Sequence, residues 1–138
     1  MKSKGFTLVE ILAVIVILAV LIGMAVPNMV GIGNKNRNNM YCTKVQNIEN
    51  SAQQFAEDNF GTVEAAFNAS GKYEMTVQDL IKQGYYKKED DSCNYTEQKP
   101  CVTDPRDKSR IDNVKVHIVI KNRRPFATYQ GDKSSCEN

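Results

Sequence analysis

A single carboxylate, Glu10, lies in a run of apolar and small residues that extends from Phe6 to Val26. A charged side chain at the centre of a membrane-spanning helix costs roughly 2.5–3.5 kcal/mol on insertion scales, and less near the end of the span, where Glu10 lies. An ionisable residue in such a segment indicates a function and requires a partner. The residues just before Glu10 suggest what that partner is.

The apolar run is long enough to cross a membrane. As a helix, Phe6 to Val26 would extend about 32 Å at 1.5 Å per residue, and the hydrocarbon core of a bilayer is about 30 Å thick. Lys2 and Lys4 precede the run, and positively charged flanks remain on the cytoplasmic side. We therefore predict a transmembrane helix over residues 6–27, with the remainder of the chain outside the membrane.

Two other interpretations of this segment stay open. One is a secretory signal peptide cut after Ala25, which would release a globular binding protein. Signal peptides have apolar regions of about 7–15 residues, whereas this run is longer and has Glu10 inside it. The other is an uncleaved membrane anchor, which gives no reason for a carboxylate one turn into the helix.

The segment Gly5-Phe6-Thr7-Leu8-Val9-Glu10 resembles the cleavage and methylation motif of type IV prepilins. The pseudopilins of type II secretion and DNA-uptake systems share this motif, and the resemblance extends over about residues 4–59. It implies that residues 1–5 are a leader peptide and that prepilin peptidase cuts between Gly5 and Phe6. It also implies that the new Phe6 amine is N-methylated and that Glu10 pairs with the Phe6 amine of a neighbouring subunit.

The resemblance implies a structural role. The residues also argue against an enzyme, because no set of nucleophile, base and orienting group can be assembled and no glycine-rich phosphate loop occurs, and no cofactor is expected. The protein would be a subunit of a type IV pilus or of a related pseudopilus, stored as a single-pass precursor in the bacterial cytoplasmic membrane and assembled into a cell-surface filament. Its partners would be other pilin subunits, prepilin peptidase, the membrane assembly platform with its ATPase, and membrane lipid before assembly.

Two residues near the end of the apolar run predict a disturbance of the helix. Pro27 lacks an amide hydrogen and clashes with the carbonyl of Gly23, so a kink or an interruption is expected. The resemblance implies that this stretch melts in a filament. The following run, Val30 to Asn36, contains poor helix formers, which makes a break there possible.

An amphipathic helix is predicted over residues 28–60, ending before Gly61. Apolar residues recur there at steps of three and four, which places them on one face. That face requires a covering domain, which we assign to residues 61–138. The stripe consists of Tyr41, Val45, Ile48, Ala52, Phe55 and Ala56.

Two short helices are predicted in the globular domain. Thr62 is a possible cap for a helix over residues 63–67. Thr76 and Asp79 have the spacing of a capping box, which predicts a second helix that turns Val77, Leu80 and Ile81 inward and ends at Gly84.

A hairpin follows later in the sequence. Apolar and polar residues alternate from Asn113 to Lys121, which predicts a strand. We expect a turn over residues 122–124 and a second strand over residues 125–130. The fold class is therefore α+β, with a long N-terminal helix packed on a small antiparallel sheet, as in pilins.

Four cysteines, Cys42, Cys93, Cys101 and Cys136, form an even set, which indicates disulfides in an exported domain. We favour pairing Cys93 with Cys101 because they are close in sequence, which leaves Cys42 for Cys136. Crossed pairings stay open.

Metal binding, catalysis and nucleic-acid binding are poorly supported by the sequence. The cysteines lack zinc-site spacing, and the two acidic clusters, residues 89–91 and 104–107, lack a recognised calcium spacing. The single histidine, His117, falls on the outer face of the predicted strand. The chain has a formal net charge of +2, which gives no reason to expect an anionic partner.

Overall fold

The computed structural model describes residues 5–137, and for residues 24–30 it describes the backbone alone. Residues 2 and 4, the predicted cytoplasmic flank, lie outside the described residues. The chain divides into two compact units, Met1–Asn36 and Arg37–Asn138. The second unit contains the hydrophobic core.

Three helices and three strands are assigned along the described chain. The helices are α1 (Leu8–Asp58), α2 (Phe60–Ser70) and α3 (Val77–Lys82). The strands are β1 (Tyr73–Thr76), β2 (Lys115–Lys121) and β3 (Arg124–Tyr129). The strands form one antiparallel sheet in the order β1-β2-β3. This arrangement confirms the predicted α+β class. Strand β1 was not predicted from the sequence.

Helix α1 is assigned without interruption through Gly23, Pro27 and residues 30–36. The break considered for residues 30–36 is therefore absent. Weak helix formers cost at most about 1 kcal/mol each and do not clash with the preceding turn, so a helix can continue through them. No interruption occurs at Gly23 or Pro27 either, and a kink of the axis there stays a prediction.

The connection between α1 and α2 differs from the prediction. Helix α1 ends at Asp58, and α2 begins only two residues later, at Phe60, so Gly61 lies inside α2 rather than ending α1. Asn59 is the first residue after α1, and its side-chain amide donates to the carbonyl of Phe55 at 2.9 Å. A carbonyl in the last turn of α1 therefore has a hydrogen-bond partner. Thr62 is consequently not the cap of α2.

Helix α2 stops where glycine permits a left-handed residue. Gly71 has a φ of +80°, and its amide donates to the carbonyl of Phe67 at 2.7 Å. The helix is thus longer at both ends than the predicted segment over residues 63–67.

Helix α3 begins with the predicted capping box. The amide of Asp79 donates to Thr76 Oγ1 at 3.2 Å, and the amide of Thr76 donates to Asp79 Oδ2 at 2.9 Å. Val77 and Leu80 are fully buried, and Gly84, at a φ of +82°, follows the end of the helix. The local sequence was therefore sufficient to locate this element.

The hairpin of β2 and β3 matches the predicted alternation. Val116 and Ile118 are fully buried, while His117 lies on the outer face, 2.7 Å from Glu74 on β1. The turn between the strands consists of two residues, Asn122 and Arg123, both with positive φ, as a type I′ turn requires. The predicted third turn residue, Arg124, instead begins β3.

The core of the second unit forms between the amphipathic part of α1 and the sheet. All six residues of the predicted stripe on α1 are buried and pack with Val116, Ile118 and Tyr129. The Phe55 ring lies 5.3 Å from that of Tyr85 and 5.9 Å from that of Tyr73, measured between centroids.

Both disulfides have the favoured pairing. Cys42 pairs with Cys136, with Cα atoms 5.4 Å apart, and Cys93 pairs with Cys101, at 5.0 Å. The first bond fastens the C-terminal segment to α1, and the second closes a short loop.

Candidate assembly site at the N-terminal helix

The start of α1 brings Thr7 and Glu10 into direct contact. Thr7 precedes the first helical residue, and Glu10 lies three residues further on. The amide and the hydroxyl of Thr7 donate to Glu10 Oε2 at 3.3 and 3.4 Å, and the amide of Glu10 donates back to Thr7 Oγ1 at 3.3 Å. These bonds form a capping box, which satisfies amides that a helix start otherwise leaves unpaired.

This role of Thr7 was not predicted, although its signal is present in the sequence. Thr7-Leu8-Val9-Glu10 has the Thr-x-x-Glu pattern in front of an apolar run. The same reasoning had identified Thr76 and Asp79. Glu10 is therefore a capping residue as well as a lone charge, and its carboxylate is held near the positive end of the helix dipole.

The surface around Glu10 is apolar and open. Phe6, Ile11, Val14 and Ile15 line a shallow groove together with Glu10. The large apolar side chains from Phe6 to Ile22 are between 49% and 81% exposed, so none of the other described residues covers them. Exposed apolar surface of this extent marks an interaction site for a partner or for lipid.

The length and apolarity of a helix decide whether it can cross a membrane. Within the part of the chain that the structure describes, no helix is both long enough and apolar enough to span a bilayer. The predicted span, residues 6–27, ends among residues whose side chains are not described.

The predicted cleavage position lies directly before α1. Gly5 and Phe6 are exposed and precede the first helical residue, and there is open space around the Gly5 Cα. A peptide bond outside regular structure is accessible to a processing enzyme. Phe6, the residue after the predicted cut, also lines the groove that contains Glu10.

The acidic cluster over residues 104–107 has a structural use. Asp104 is only 3% exposed, and Arg106 binds it through Nη2 at 2.7 Å and through Nε at 3.0 Å. Arg106 also reaches Asp132 at 3.3 Å in the C-terminal segment. Among the described residues, no group of three or more histidine, cysteine, aspartate or glutamate side chains is arranged to hold a metal ion.

A second buried carboxylate, Asp112, supports the loop closed by the short disulfide. It is fully buried and accepts the amide of Cys101 at 2.6 Å. It also pairs with the guanidinium of Arg110. The loops of the second unit are therefore organised by pairs of carboxylates and arginines.

Comparison with known proteins supports the resemblance seen at the N terminus. The prokaryotic N-terminal methylation motif matches residues 1–26. The chain is 38% identical over 58 residues to the type II secretion system core protein G of Escherichia coli (strain K12). That match covers 42% of this chain and 40% of the relative, so it spans less than half of either protein.

No solved structure matches the chain. Its fold is nevertheless the one expected, with a helix packed on a three-stranded antiparallel sheet. The chain therefore carries the prokaryotic N-terminal methylation motif and is similar, over part of its length, to a type II secretion system core protein G.

Proposed function

We propose that the protein is a structural subunit of a type IV pilus or related pseudopilus, polymerised through its N-terminal helix. The observation that carries this proposal is the combination of Glu10 with the exposed apolar surface around it. A partner that supplies both apolar contacts and a positive charge would satisfy this surface. A second copy of the same chain offers both.

Processing creates the positive charge. Cleavage between Gly5 and Phe6 leaves an α-amine on Phe6, which would then be N-methylated. Before assembly the processed helix would reside in the bacterial cytoplasmic membrane with lipid against its apolar side chains. The platform of the assembly machinery and its ATPase would then move it into the cell-surface filament.

Pairing of the Phe6 amine with Glu10 of the neighbouring subunit would favour assembly. Two opposite charges about 4 Å apart attract by roughly 4 kcal/mol at an effective dielectric of 20. A subunit shifted along the filament axis would leave both charges unpaired, at a cost that grows with desolvation. The pair would therefore select one axial register as well as stabilise the contact.

Among filament types, the similarity to a type II secretion system core protein favours a secretion pseudopilus. The alternative of a DNA-uptake pseudopilus receives no support from charge, because the net charge is only +2. Deleting the gene should therefore reduce secretion of exported enzymes while DNA uptake remains unchanged. The opposite result would favour the DNA-uptake alternative.

The N terminus of the mature chain tests the proposal most directly. Mass spectrometry of the protein from its native membrane should find N-methylated Phe6 at the N terminus. Val26 at that position would indicate a signal peptide and a secreted protein, and retained Met1 would indicate an uncleaved anchor. Either of these two results would contradict the proposed function.

A further inference from the structure

We propose that the groove between the β2–β3 turn and the junction of α1 with α2 is a self-complementary contact, at which one copy of the chain binds the same groove of a second copy. This surface, the hairpin groove, lies wholly within the second unit. It is separate from the N-terminal helix, and the inference does not rest on the proposed function. The groove has a volume of about 410 Å³ and is lined by Gln53, Glu57, Phe60, Arg123, Arg124, Pro125 and Phe126.

The turn at one side of the groove concentrates positive charge. Lys121 and Arg124 lie directly opposite each other in the register of β2 and β3, and Arg123 lies in the turn between them. Like charges directly opposite each other destabilise a strand pair. Among the described residues, no carboxylate forms an ion pair with any of these three side chains. Their charges are therefore available to a partner.

The backbone of Arg123 points to a use for its side chain. This residue has a φ of +62°, at a position of the type I′ turn that glycine occupies most readily. A left-handed conformation is unfavourable for any residue with a Cβ atom. Strained positions of this kind are found preferentially where a side chain serves a function.

The apolar part of the groove is typical of a protein–protein contact. Phe126 is 45% exposed, and it lies beside Phe60 and Pro125 in the lining. Aromatic residues and arginine are enriched at the centre of protein interfaces and contribute most of their binding energy. A groove that combines them with unpaired cations therefore fits a protein partner.

A carboxylate in the same groove selects among possible partners. Glu57 lines it together with Arg123 and Arg124. The residue is exposed and, within the described chain, forms no ion pair. An acidic peptide or a nucleic-acid backbone would neutralise the arginines but would be repelled by Glu57. A second copy of the chain supplies a charge of each sign.

A two-fold axis through the groove would bring these unlike charges together. Glu57 comes from the last turn of α1, and the arginines come from the hairpin turn and the start of β3. In an isologous contact both copies use the same patch, so each pairing occurs twice. Glu57 of each copy would meet Arg123 and Arg124 of the other, and Phe126 of each would cover the apolar lining of the other.

The size of the groove sets the strength of this contact. Seven residues line it, whereas a stable interface contains about 20–30 residues on each side. Ion pairs between exposed side chains are also screened by salt. The dimer should therefore be reversible, dependent on protein concentration and weaker at high salt.

The test measures the mass of the full chain in detergent by sedimentation over a series of protein concentrations at low and high salt. Its variants are Arg123→Glu with Arg124→Glu, Glu57→Arg, and all three changes together. We expect a reversible wild-type dimer and at least about tenfold weaker association in each charge reversal, because like charges across an interface are strongly unfavourable. The triple variant restores unlike pairs and should associate within about threefold of the wild type.

Matched controls keep the charge change but place it outside the groove. Glu64→Arg on α2 and Lys99→Glu in the disulfide loop alter exposed positions and should leave association unchanged. Glu10→Ala should also dimerise like the wild type. This arm separates the groove contact from the proposed pairing at the N-terminal helix, whose failure would leave the dimer intact.

Four outcomes would overturn the contact. The first is a monomer at every concentration, and the second is a dimer that both charge reversals leave unchanged. The third is a triple variant that associates no better than the single reversals. The fourth is association lost in Glu10→Ala but retained in the groove variants, which would assign it to the N-terminal helix.

Discussion

The guanidinium of Arg106 lies over the ring of Tyr41, with its central carbon 3.6 Å from the ring centroid. Tyr41 belongs to α1, and its hydroxyl donates to the backbone carbonyl of Asp132 at 2.5 Å. Arg106 binds the carboxylates of Asp104 and Asp132. One cation thus connects the helix, the central loop and the C-terminal segment, and it stabilises all three by contacts distant in sequence.

Replacing Arg106 should destabilise the second unit strongly. Arg106→Ala leaves the buried carboxylate of Asp104 without its cation, and breaking such a pair costs about 3–5 kcal/mol. Arg106→Lys should cost less, because it keeps the charge but loses the two-pronged contact. Urea unfolding of the detergent-solubilised chain measures both, with exposed Arg124→Ala as the matched control. Equal midpoints for Arg106→Ala and Arg124→Ala would contradict this prediction.

The two disulfides should contribute unequally. On the chain-entropy view, Cys42–Cys136, with a sequence separation of 94, contributes about 4.7 kcal/mol. Cys93–Cys101, with a separation of 8, contributes about 2.6 kcal/mol. The double serine variant of the long-range pair should therefore unfold at lower urea than that of the short-range pair. The reverse order would show that strain or native contacts outweigh loop closure.

Asp112 should control how readily the short disulfide is reduced. Asp112→Ala leaves the buried amide of Cys101 without its acceptor and removes the nearer of the two carboxylates beside Arg110, which keeps only Glu97 at 3.8 Å. We expect a loss of about 2–4 kcal/mol and faster reduction of Cys93–Cys101 by dithiothreitol. Asp107→Ala, an exposed change in the neighbouring loop, is the control. An unchanged reduction rate in Asp112→Ala would contradict this role.

Alkaline pH should weaken the second unit through Tyr86. Burial, reinforced by Glu89, raises the pKa of Tyr86 to about 12 from its ordinary value of 10. Because the folded pKa is the higher one, this stabilisation is complete below pH 10 and is lost as the pH rises towards 12. The free energy of unfolding of Tyr86→Phe should depend less steeply on pH in that range than that of the wild type. Urea titrations at pH 9, 10.5 and 12 measure this dependence. An identical pH dependence in both proteins would count against it.

Glu10→Ala should separate processing from assembly. Cleavage before Phe6 should proceed as in the wild type, whereas filament yield should fall at least tenfold, since the pair contributes roughly 4 kcal/mol. Immunoblots of sheared filaments and of membranes measure the two steps. Glu64→Ala, at an exposed position on α2, controls for loss of one negative charge. Filament formation by Glu10→Ala at wild-type level would contradict the pairing.

Local signals predicted the parts of the fold that depend on neighbouring residues. The Thr76–Asp79 capping box, the alternation in β2 and the apolar stripe on α1 each arise within a few turns or residues of the chain. Strand β1 was missed because four residues, Tyr73–Thr76, give too little alternation to recognise. Its pairing with β2 supplies the stabilisation that its own sequence does not indicate.

The loops between α3 and β2 could not be predicted for a different reason. Their order comes from single hydrogen bonds between residues far apart, such as Lys44 with the carbonyl of Thr103 and Glu89 with the amide of Thr103. No periodicity encodes such contacts. At the N terminus the reverse holds, since the Thr7–Glu10 contact is local and was visible in the sequence.

The bond between Cys42 and Cys136 has a consequence for how the protein matures. If the domain is exported as proposed, Cys42 emerges first, then Cys93 and Cys101, and Cys136, the native partner of Cys42, last. In an oxidising compartment the early thiol meets two wrong partners before the right one, so thiol–disulfide exchange becomes part of reaching the native state. We expect alkylation of nascent chains to trap Cys42 reduced or bonded to Cys93 or Cys101, with the native pair appearing only after Cys136 is exported. The bond that fastens the C-terminal segment to α1 is thus also the last native disulfide that can form.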